Sequence, residues 1–425
     1  MRSQRPWSKP STRRIRNTCP SPACFETLEV RTHLAYAPSA ADQLICLDQF
    51  RADQRFSSID GAGYAAVIID DGLDRDHPFF GPDANRNGVA DRIVYSYDFA
   101  GNDASVEATS PHGSNVTSIV GSSGELHRGV APGVSLIHLK VFKDKARYTK
   151  WTDVERALKW VITNAQRYNI VSVNMSPGEG NYRSALPAEW HGISDELAAL
   201  AARDVIVTAS AGNSFGQLGS RQGLAYPAAD PNVLAVGAVF ERAFGRYRGG
   251  ANSSASRTGP DRITPFSQRS TSQWMIFAPG SPIKGAGLRG GLSTQSGTSQ
   301  AAPHVAGAVV LMQQLADQIL GRRLSLSELR SLMKQSGRKI VDGDDERDVV
   351  RNTGATFRRL DIMNLAEALW RKAGPEIEIR SAATSLISEQ STVNFGSTSQ
   401  STSIERTFTV IGPSWPSPSQ LTSPT

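Results

Sequence analysis

Short apolar runs alternate with segments of helical periodicity along the middle of the chain. Residues 64–70 (Tyr-Ala-Ala-Val-Ile-Ile-Asp) form an apolar run that ends in a carboxylate and is followed by Gly72. Residues 134–141, 170–175, 205–209 and 233–239 are further runs of this kind. Between them, residues 151–168 place Val154, Leu158, Val161 and Ala165 on one helical face, with Thr152 or Asp153 as N-cap, and residues 193–202 read as another helix. Apolar strands that alternate with helices argue for a parallel sheet covered on both faces. The pattern predicts an α/β fold, a three-layer sandwich with a mainly parallel central sheet and helices on both faces. In such sheets the functional residues sit where strands end and loops begin.

The two ends have a different texture. Residues 1–44 are polar, Arg-rich and interrupted by Pro and Ser, and read as a disordered or removable leader. The leader ends near Ala35-Tyr36-Ala37 in the manner of an export signal, although a continuous apolar stretch is missing. Phe25-Glu26-Thr27-Leu28-Glu29-Val30-Arg31 resembles a leader found on large exported or surface proteins of aquatic bacteria, so export or surface display is the expectation. Residues 45–373 are assigned to one large folded domain. Residues 374–425 are rich in Ser, Thr and Pro, and 393–396 and 406–410 alternate like two strands. They resemble the opening of an immunoglobulin-like module, but such a sandwich takes about 100 residues and several strands. A truncated module or a linker is expected there.

Charge changes the picture little once it is located. The formal net charge is +6, and Arg2, Arg5, Lys9, Arg13, Arg14 and Arg16 precede any acid, so the leader accounts for the whole excess. A nucleic-acid partner loses its support, because the remainder of the chain is balanced. No run of eighteen apolar residues predicts a membrane-spanning helix. Cys19, Cys24 and Cys46 are an odd number with no CxxC pair or histidine cluster, so neither a disulfide framework nor a thiolate-bound metal is expected.

Chemistry gathers around residues 296–307, Ser-Gly-Thr-Ser-Gln-Ala-Ala-Pro-His-Val-Ala-Gly, where a turn of small residues opens into an apolar helix. A serine oxygen held there would face unpaired backbone N–H groups and the positive end of the helix dipole. By itself this stretch reads equally well as a Ser-capped core helix. Two further element ends join it. Asp70 closes the first apolar run, and His112 opens residues 112–121, another tight turn entering an apolar helix. The order Asp70, His112, Ser299 with these neighbours resembles the subtilisin-like serine proteases.

The resemblance extends from about residue 48 to 373. Gly129-Val130-Ala131-Pro132, Val173-Asn174-Met175-Ser176, Ala209-Ser210-Ala211-Gly212-Asn213, Tyr226-Pro227-Ala228, Phe266-Ser267 and Ala278-Pro279-Gly280 all fall in order. It implies a serine endopeptidase acting on proteins or peptides through an acyl-enzyme, with no cofactor required for the chemistry. Ser299 would be the nucleophile, His112 the general base and acid, and Asp70 the group that orients the imidazole. Asn213 would donate its side-chain amide to the oxyanion; in a subtilisin, losing such a donor costs about 10²–10³ in kcat.

Substrate would be read as backbone, added as a strand beside Ser176, Pro177 and Gly178. The S1 walls are implied at Ser176–Gly178 and at Ala211, Gly212 and Asn213, with Ala225 at the back; none is charged, so apolar or medium-sized P1 residues are expected. Asn115 stands where the family often has a second histidine, and Asp71 where it has Ser or Thr. His77 and His304 are read as structural. The residues are also compatible with a catalytically silent scaffold that binds peptides, and the oligomeric state is left open.

Residues 83–91 present a separate pattern. Asp83, Asn85, Asn87 and Asp91 occupy positions 1, 3, 5 and 9 of an EF-hand-type loop, with Gly88 at 6 and the Val89 carbonyl at 7. Position 12 is Val94, so the bidentate acid is missing and only two formal charges remain unless Asp98 or Asp103 folds back. A structural calcium site and a plain Asx-rich turn both fit this stretch.

Overall fold

The computed structural model describes residues 38–124, 127–146, 148–184 and 192–373, together with the short strands Glu378–Ser381, Thr384–Leu386 and Thr409–Ile411. The predicted parallel sheet is its centre. Nine strands take part: β1 (Ala65–Asp70), β2 (Ile93–Asp98), β3 (Ser135–Lys140), β4 (Ile170–Met175), β5 (Ile206–Ser210), β6 (Val233–Phe240), β7 (Met275–Ser281), β8 (Arg338–Val341) and β9 (Thr356–Arg359). Their order across the sheet is β8-β9-β7-β6-β5-β4-β1-β3-β2. All pairings are parallel except that of β8 with β9.

Both faces of this sheet are buried, which explains the near-continuous apolar runs. Strand β1 makes the point residue by residue. Ala66 and Ile68 join a core with helices α3 (His112–Gly121) and α6 (Thr298–Leu320), while Ala65, Val67 and Ile69 face α4 (Trp151–Asn164) and α5 (Ser194–Ala201). The first of these cores also takes in Ile45, which follows α1 (Ala40–Leu44), with α2 (Leu47–Ala52), α7 (Leu326–Ser336) and α8 (Ile362–Ala373) through Leu47, Phe50, Leu329, Leu365 and Leu369. The three-layer sandwich expected from the sequence is therefore the observed fold.

Local signals place most ends within a residue or two. Helix α4 starts at Trp151 with Lys150 as N-cap and no side-chain cap, two or three residues before the N-cap expected at Thr152 or Asp153. Helix α7 carries a capping box between Ser325 and Glu328, and α6 stops at Gly321 in the left-handed region (φ 65°).

The start of the folded region differs from the boundary expected at residue 44. Residues 40–44 are helical, capped by Ser39 and Asp42, and Ala41 and Asp42 are buried. The capping box is short and the following apolar residues are few, so composition alone assigns this turn to the leader. The leader before residue 38 lies outside the described residues, as do Cys19 and Cys24. Of the tail, the described strands pair antiparallel in the order Thr384–Leu386, Glu378–Ser381, Thr409–Ile411. The expected strand at 393–396 lies outside the described residues, and the one at 406–410 overlaps Thr409–Ile411.

A buried ion pair ties the loop after β6 to the end of β8. Arg269 and Asp342 are both fully buried and hydrogen-bonded to each other, and the Arg269 guanidinium stacks 4.0 Å over the Phe215 ring. Asp342 also accepts from the Thr353 backbone and hydroxyl, both at 2.7 Å. Removing one partner leaves the other charge buried and unpaired, at a cost of about 3–5 kcal/mol. Asp342→Ala is expected to lower stability by that order in chemical denaturation; a change near zero would show that the pair is solvated or dispensable.

Candidate active site

Three elements end at one pocket of about 260 Å³, lined by Asp70, Asp71, His112, Phe142, Ala146, Ser176, Pro177, Gly178 and Ser299. Strand β1 delivers Asp70 at its C-terminal end, and period-2 alternation turns that side chain to the α3 side, like Ala66 and Ile68. Helix α3 opens with His112 at its first position, and α6 carries Ser299 in its first turn. The positions singled out in the sequence thus converge although 42 and 187 residues separate them along the chain, the numbers of Asp70, His112 and Ser299 giving these gaps.

Asp70 and His112 are directly bonded. His112 Nδ1 lies 2.6 Å from Asp70 Oδ1, with Asp70 buried and the imidazole 31% exposed toward the pocket. Burial disfavours charge on both groups, but each stabilises the charge of the other. Asp70 is held below the ordinary carboxylate range by His112 and the Asp71 N–H, against desolvation. His112 is pushed up to about 9 because the Asp70 charge and hydrogen bond outweigh its desolvation. The second carboxylate oxygen, Asp70 Oδ2, is buried and has no hydrogen-bond partner among the described residues.

Asp71 replaces a hydroxyl residue of the family pattern and acts through an acceptor. Its Oδ1 receives the Gly113 N–H at 2.7 Å, which fixes the first turn of α3 next to His112. Burial and the neighbouring Asp70 charge raise its carboxyl to about 6. Gly113 allows this approach: a Cβ there would stand 2.5 Å from the Gly72 carbonyl and 2.8 Å from Asp71 Oδ1. Asn115 is a clasp between elements, donating to Ser293 Oγ at 3.1 Å and accepting from Gln300 at 3.4 Å.

Ser299 is 7% exposed, and its hydroxyl has no hydrogen-bond partner among the described residues. Two groups approach the same side of Gly297 next to it. A carbon added to Gly297 would lie 3.3 Å from Asn213 Nδ2 and 3.6 Å from the Ser299 backbone nitrogen. Asn213 is oriented by its other atom, since Oδ1 accepts from Thr298 N at 2.8 Å and Thr298 Oγ1 at 2.9 Å. Its amide donor is therefore turned away from Thr298. Pro303 inside α6 has no N–H to offer the Ser299 carbonyl, which instead lies 3.5 Å from the Ser176 hydroxyl.

Ser176, Pro177 and Gly178 continue β4 along the pocket, and Ser210 Oγ holds the Ser176 carbonyl at 3.1 Å. Ala211, Gly212 and Ala225 do not line that pocket but stack behind it. The Ala225 N–H bonds Ala211 O at 2.8 Å, and a Cβ on Gly212 or on Gly178 would meet Ala225 Cβ at 3.1 or 3.5 Å. At Gly212 (φ +108°) a side chain would also collide with buried Gln268, whose amide holds Asn181 Oδ1 at 2.8 Å. Gln268, Thr298, Phe142 and Ala146 were not foreseen as site residues. Thr298 sits inside the 296–307 stretch and Gln268 follows Phe266-Ser267, but nothing in their type announces a supporting role.

The other sequence-selected residues fall elsewhere. His304 is buried, bonded to Gln300 O at 2.9 Å, and burial pushes it down to about 4, so it is a neutral helix residue. His77 bridges Gly291 O and Phe79 N at 2.7 and 3.1 Å. In residues 83–91, Asp83 accepts from Asn87 N and Gly88 N, Asn85 from Asn87 N, Asn87 from Val89 N, and Asp91 from Ala84 N. Asp98 does not fold back onto this loop; it pairs with Lys140.

A large parallel sheet, helices on both faces, and Asp, His and Ser at three adjoining element ends are the features of a subtilisin-like fold. Residues 61–356 match the subtilase family profile, and the chain belongs to that family. Among curated relatives it is 30% identical over 265 residues to alkaline serine exoprotease A of Vibrio alginolyticus (62% of this chain, 41% of that one). It is 32% identical over 252 residues to subtilisin E of Bacillus subtilis (59% of this chain, 56% of that one), so it spans about half the length of such relatives. A cold-adapted subtilisin-like serine proteinase superposes with a TM-score of 0.52 at 27% identity, covering 72% of this chain and 90% of that one. The prenylagaramide maturation protease PagA has the same fold, with a TM-score of 0.53 at 23% identity over 76% and 98% of the two chains. Among the described residues, no helix is long and apolar enough to cross a membrane.

The Asp70–His112 contact has a direct spectroscopic consequence. In an NMR titration, His112 is expected to titrate well above the usual 6.5, toward about 9, because its charged form is the one stabilised. Asp70→Asn should bring the midpoint down. A wild-type midpoint at or below the usual value would overturn the pairing.

Proposed function

We propose that the chain is a serine endopeptidase that cleaves peptide bonds through an acyl-enzyme. The observation that carries this reading is the 2.6 Å Asp70–His112 contact opening onto the pocket that also holds Ser299. Ser299 Oγ attacks the scissile carbonyl, and neutral His112 takes its proton and returns it to the leaving amine. Asp70 stays ionised, keeps Nδ1–H of the imidazole pointed at itself and stabilises the imidazolium. Asn213 Nδ2–H and the Ser299 N–H donate to the oxyanion, a reading supported by their approach to one side of Gly297. Water then repeats the sequence on the acyl-enzyme.

The peptide lies as an added strand along Ser176–Gly178. Pro177 offers no N–H, but alternate residues of a strand point their hydrogen bonds the same way, so Ser176 and Gly178 carry that edge. Ala211, Gly212 and Ala225 form the uncharged back of the S1 pocket, which suits apolar or medium-sized P1 side chains. Since His112 acts as base only when neutral, kcat/KM falls as pH drops through its raised pKa. Export or surface display is the setting we propose, in keeping with the Arg-rich leader.

Ser299→Ala is expected to abolish hydrolysis of casein and labelling by a fluorophosphonate while leaving the melting temperature nearly unchanged. Asn213→Ala should retain labelling at a reduced rate and lose about 10²–10³ in kcat. Undiminished hydrolysis by Ser299→Ala would sink the assignment. A wild-type protein that binds peptides but neither cleaves them nor takes the label would instead be the silent scaffold.

No metal is needed in this chemistry, but we propose a structural calcium ion in residues 83–91. Asp83, Asn85, Asn87, the Val89 carbonyl and Asp91 are an all-oxygen donor set on an exposed loop that turns at Gly88 (φ +79°). Calcium should raise the melting temperature of the wild type, chelator should reverse it, and Asp83→Ala should respond to neither. If calcium and chelator leave the wild type unmoved, the loop is an Asx-rich turn.

A further inference from the structure

We infer that His138 is a positioning residue for the Asp70–His112 pair, acting through a hydrogen-bonded relay that the sequence motifs do not contain. The inference rests on the peptidase reading of the pocket. His138 lies on β3 opposite Ile68 of β1, two residues before Asp70, and is completely buried. A fully buried histidine needs partners for both ring nitrogens, and here they lie on the two segments that carry the pair.

Its Nε2 lies 2.6 Å from the carbonyl of Asp71, the residue next to Asp70. Its Nδ1 lies 3.3 Å from the Thr117 hydroxyl, one turn into α3. Thr117 Oγ1 is in turn 2.7 Å from the carbonyl of Gly113, the residue next to His112. Nε2–H can donate only to the Asp71 carbonyl, which selects that tautomer of the neutral ring. Nδ1 is then an acceptor, and the single Thr117 hydroxyl hydrogen is shared between Gly113 O and Nδ1. The ring thus spans from the residue after Asp70 to the residue after His112.

This relay joins other ties between the same segments, the Gly113 N–H to Asp71 Oδ1 bond at 2.7 Å and the Asp74 N–H to Ser114 Oγ bond at 2.9 Å. It differs in reaching them through a third element, the neighbouring strand β3, so that it braces the Asp70–His112 separation against the sheet. A Cβ on Gly113 would meet the His138 ring at 3.1 Å, so the ring also fills the space into which the turn could relax. Asp70 Oδ2 has no partner among the described residues, so the carboxylate is held through Oδ1 alone, by His112 Nδ1 and by the Asp71 N–H at 2.8 Å.

The test compares His138→Ala, His138→Gln and Thr117→Val with Leu234→Ala, a core truncation on β6 away from the site. His138→Ala is expected to lower kcat by about 10-fold to 10²-fold with KM within twofold, since misplacing reacting groups by even 1 Å costs on this order. His138→Gln, which keeps a donor for the Asp71 carbonyl, should recover most of that loss. Thr117→Val should fall in between and decides the matter if His138→Ala does not fold. Normal kcat in folded His138→Ala, or an equal loss in Leu234→Ala at matched melting temperature, would overturn the inference. The low-field His112 Nδ1–H resonance gives a readout independent of turnover. It should be protected from exchange in the wild type and exposed in His138→Ala, even if the wild type proves silent and the peptidase reading fails; an unchanged resonance counts against the relay.

Discussion

A buried helix is the constraint on which the rest of this molecule depends. In α6, every residue from Thr298 to Ala316 is buried, and the helix packs against the sheet on one side and α3 and α8 on another. A helix so enclosed cannot slide, because its apolar surface has no second place to go. Its first turn is therefore held at the C-terminal edge of the parallel strands, where β1, β4 and β5 also end. The serine in that turn inherits a fixed position from the hydrophobic core rather than from any bond of its hydroxyl.

Electrostatics at the site follows from that enclosure. A carboxylate removed from water needs compensation, and Asp70 receives it from His112 and the Asp71 N–H. The same pairing raises the imidazole toward the alkaline range. Burial and mutual charge oppose each other, and here the 2.6 Å contact wins because the buried Asp70 carboxylate is little screened by water. Asp70 Oδ2 is buried without a partner among the described residues, and the neighbouring Asp71 carboxylate accepts the Gly113 N–H.

Support around these groups is built largely from residues of unremarkable type. Thr298 orients Asn213 with two bonds to one oxygen, Gln268 packs under Gly212, and His138 with Thr117 links the turns beside Asp70 and His112. Arg269 and Asp342 do similar work farther out, fastening the loop after β6 to the sheet edge. Each is a polar side chain enclosed in a core that must satisfy it, so removing one partner penalises the other.

What was legible in the sequence was local or periodic. The apolar runs marked the buried strands, because a sheet covered on both faces leaves little room for polar residues, and the Asp70, His112, Asn213 and Ser299 motifs stood at their ends. Small residues around them marked close backbone approaches. The helical turn at 40–44 and the missing side-chain cap of α4 were not legible, since packing settled them against weak local signals. Tertiary structure alone decided that His138 faces α3, that Gln268 lies beneath Gly212, and that Phe142 and Ala146 reach the pocket. Those facts depend on which strands become neighbours, and a histidine on an apolar strand carries no mark of the distant carbonyl and hydroxyl it will meet.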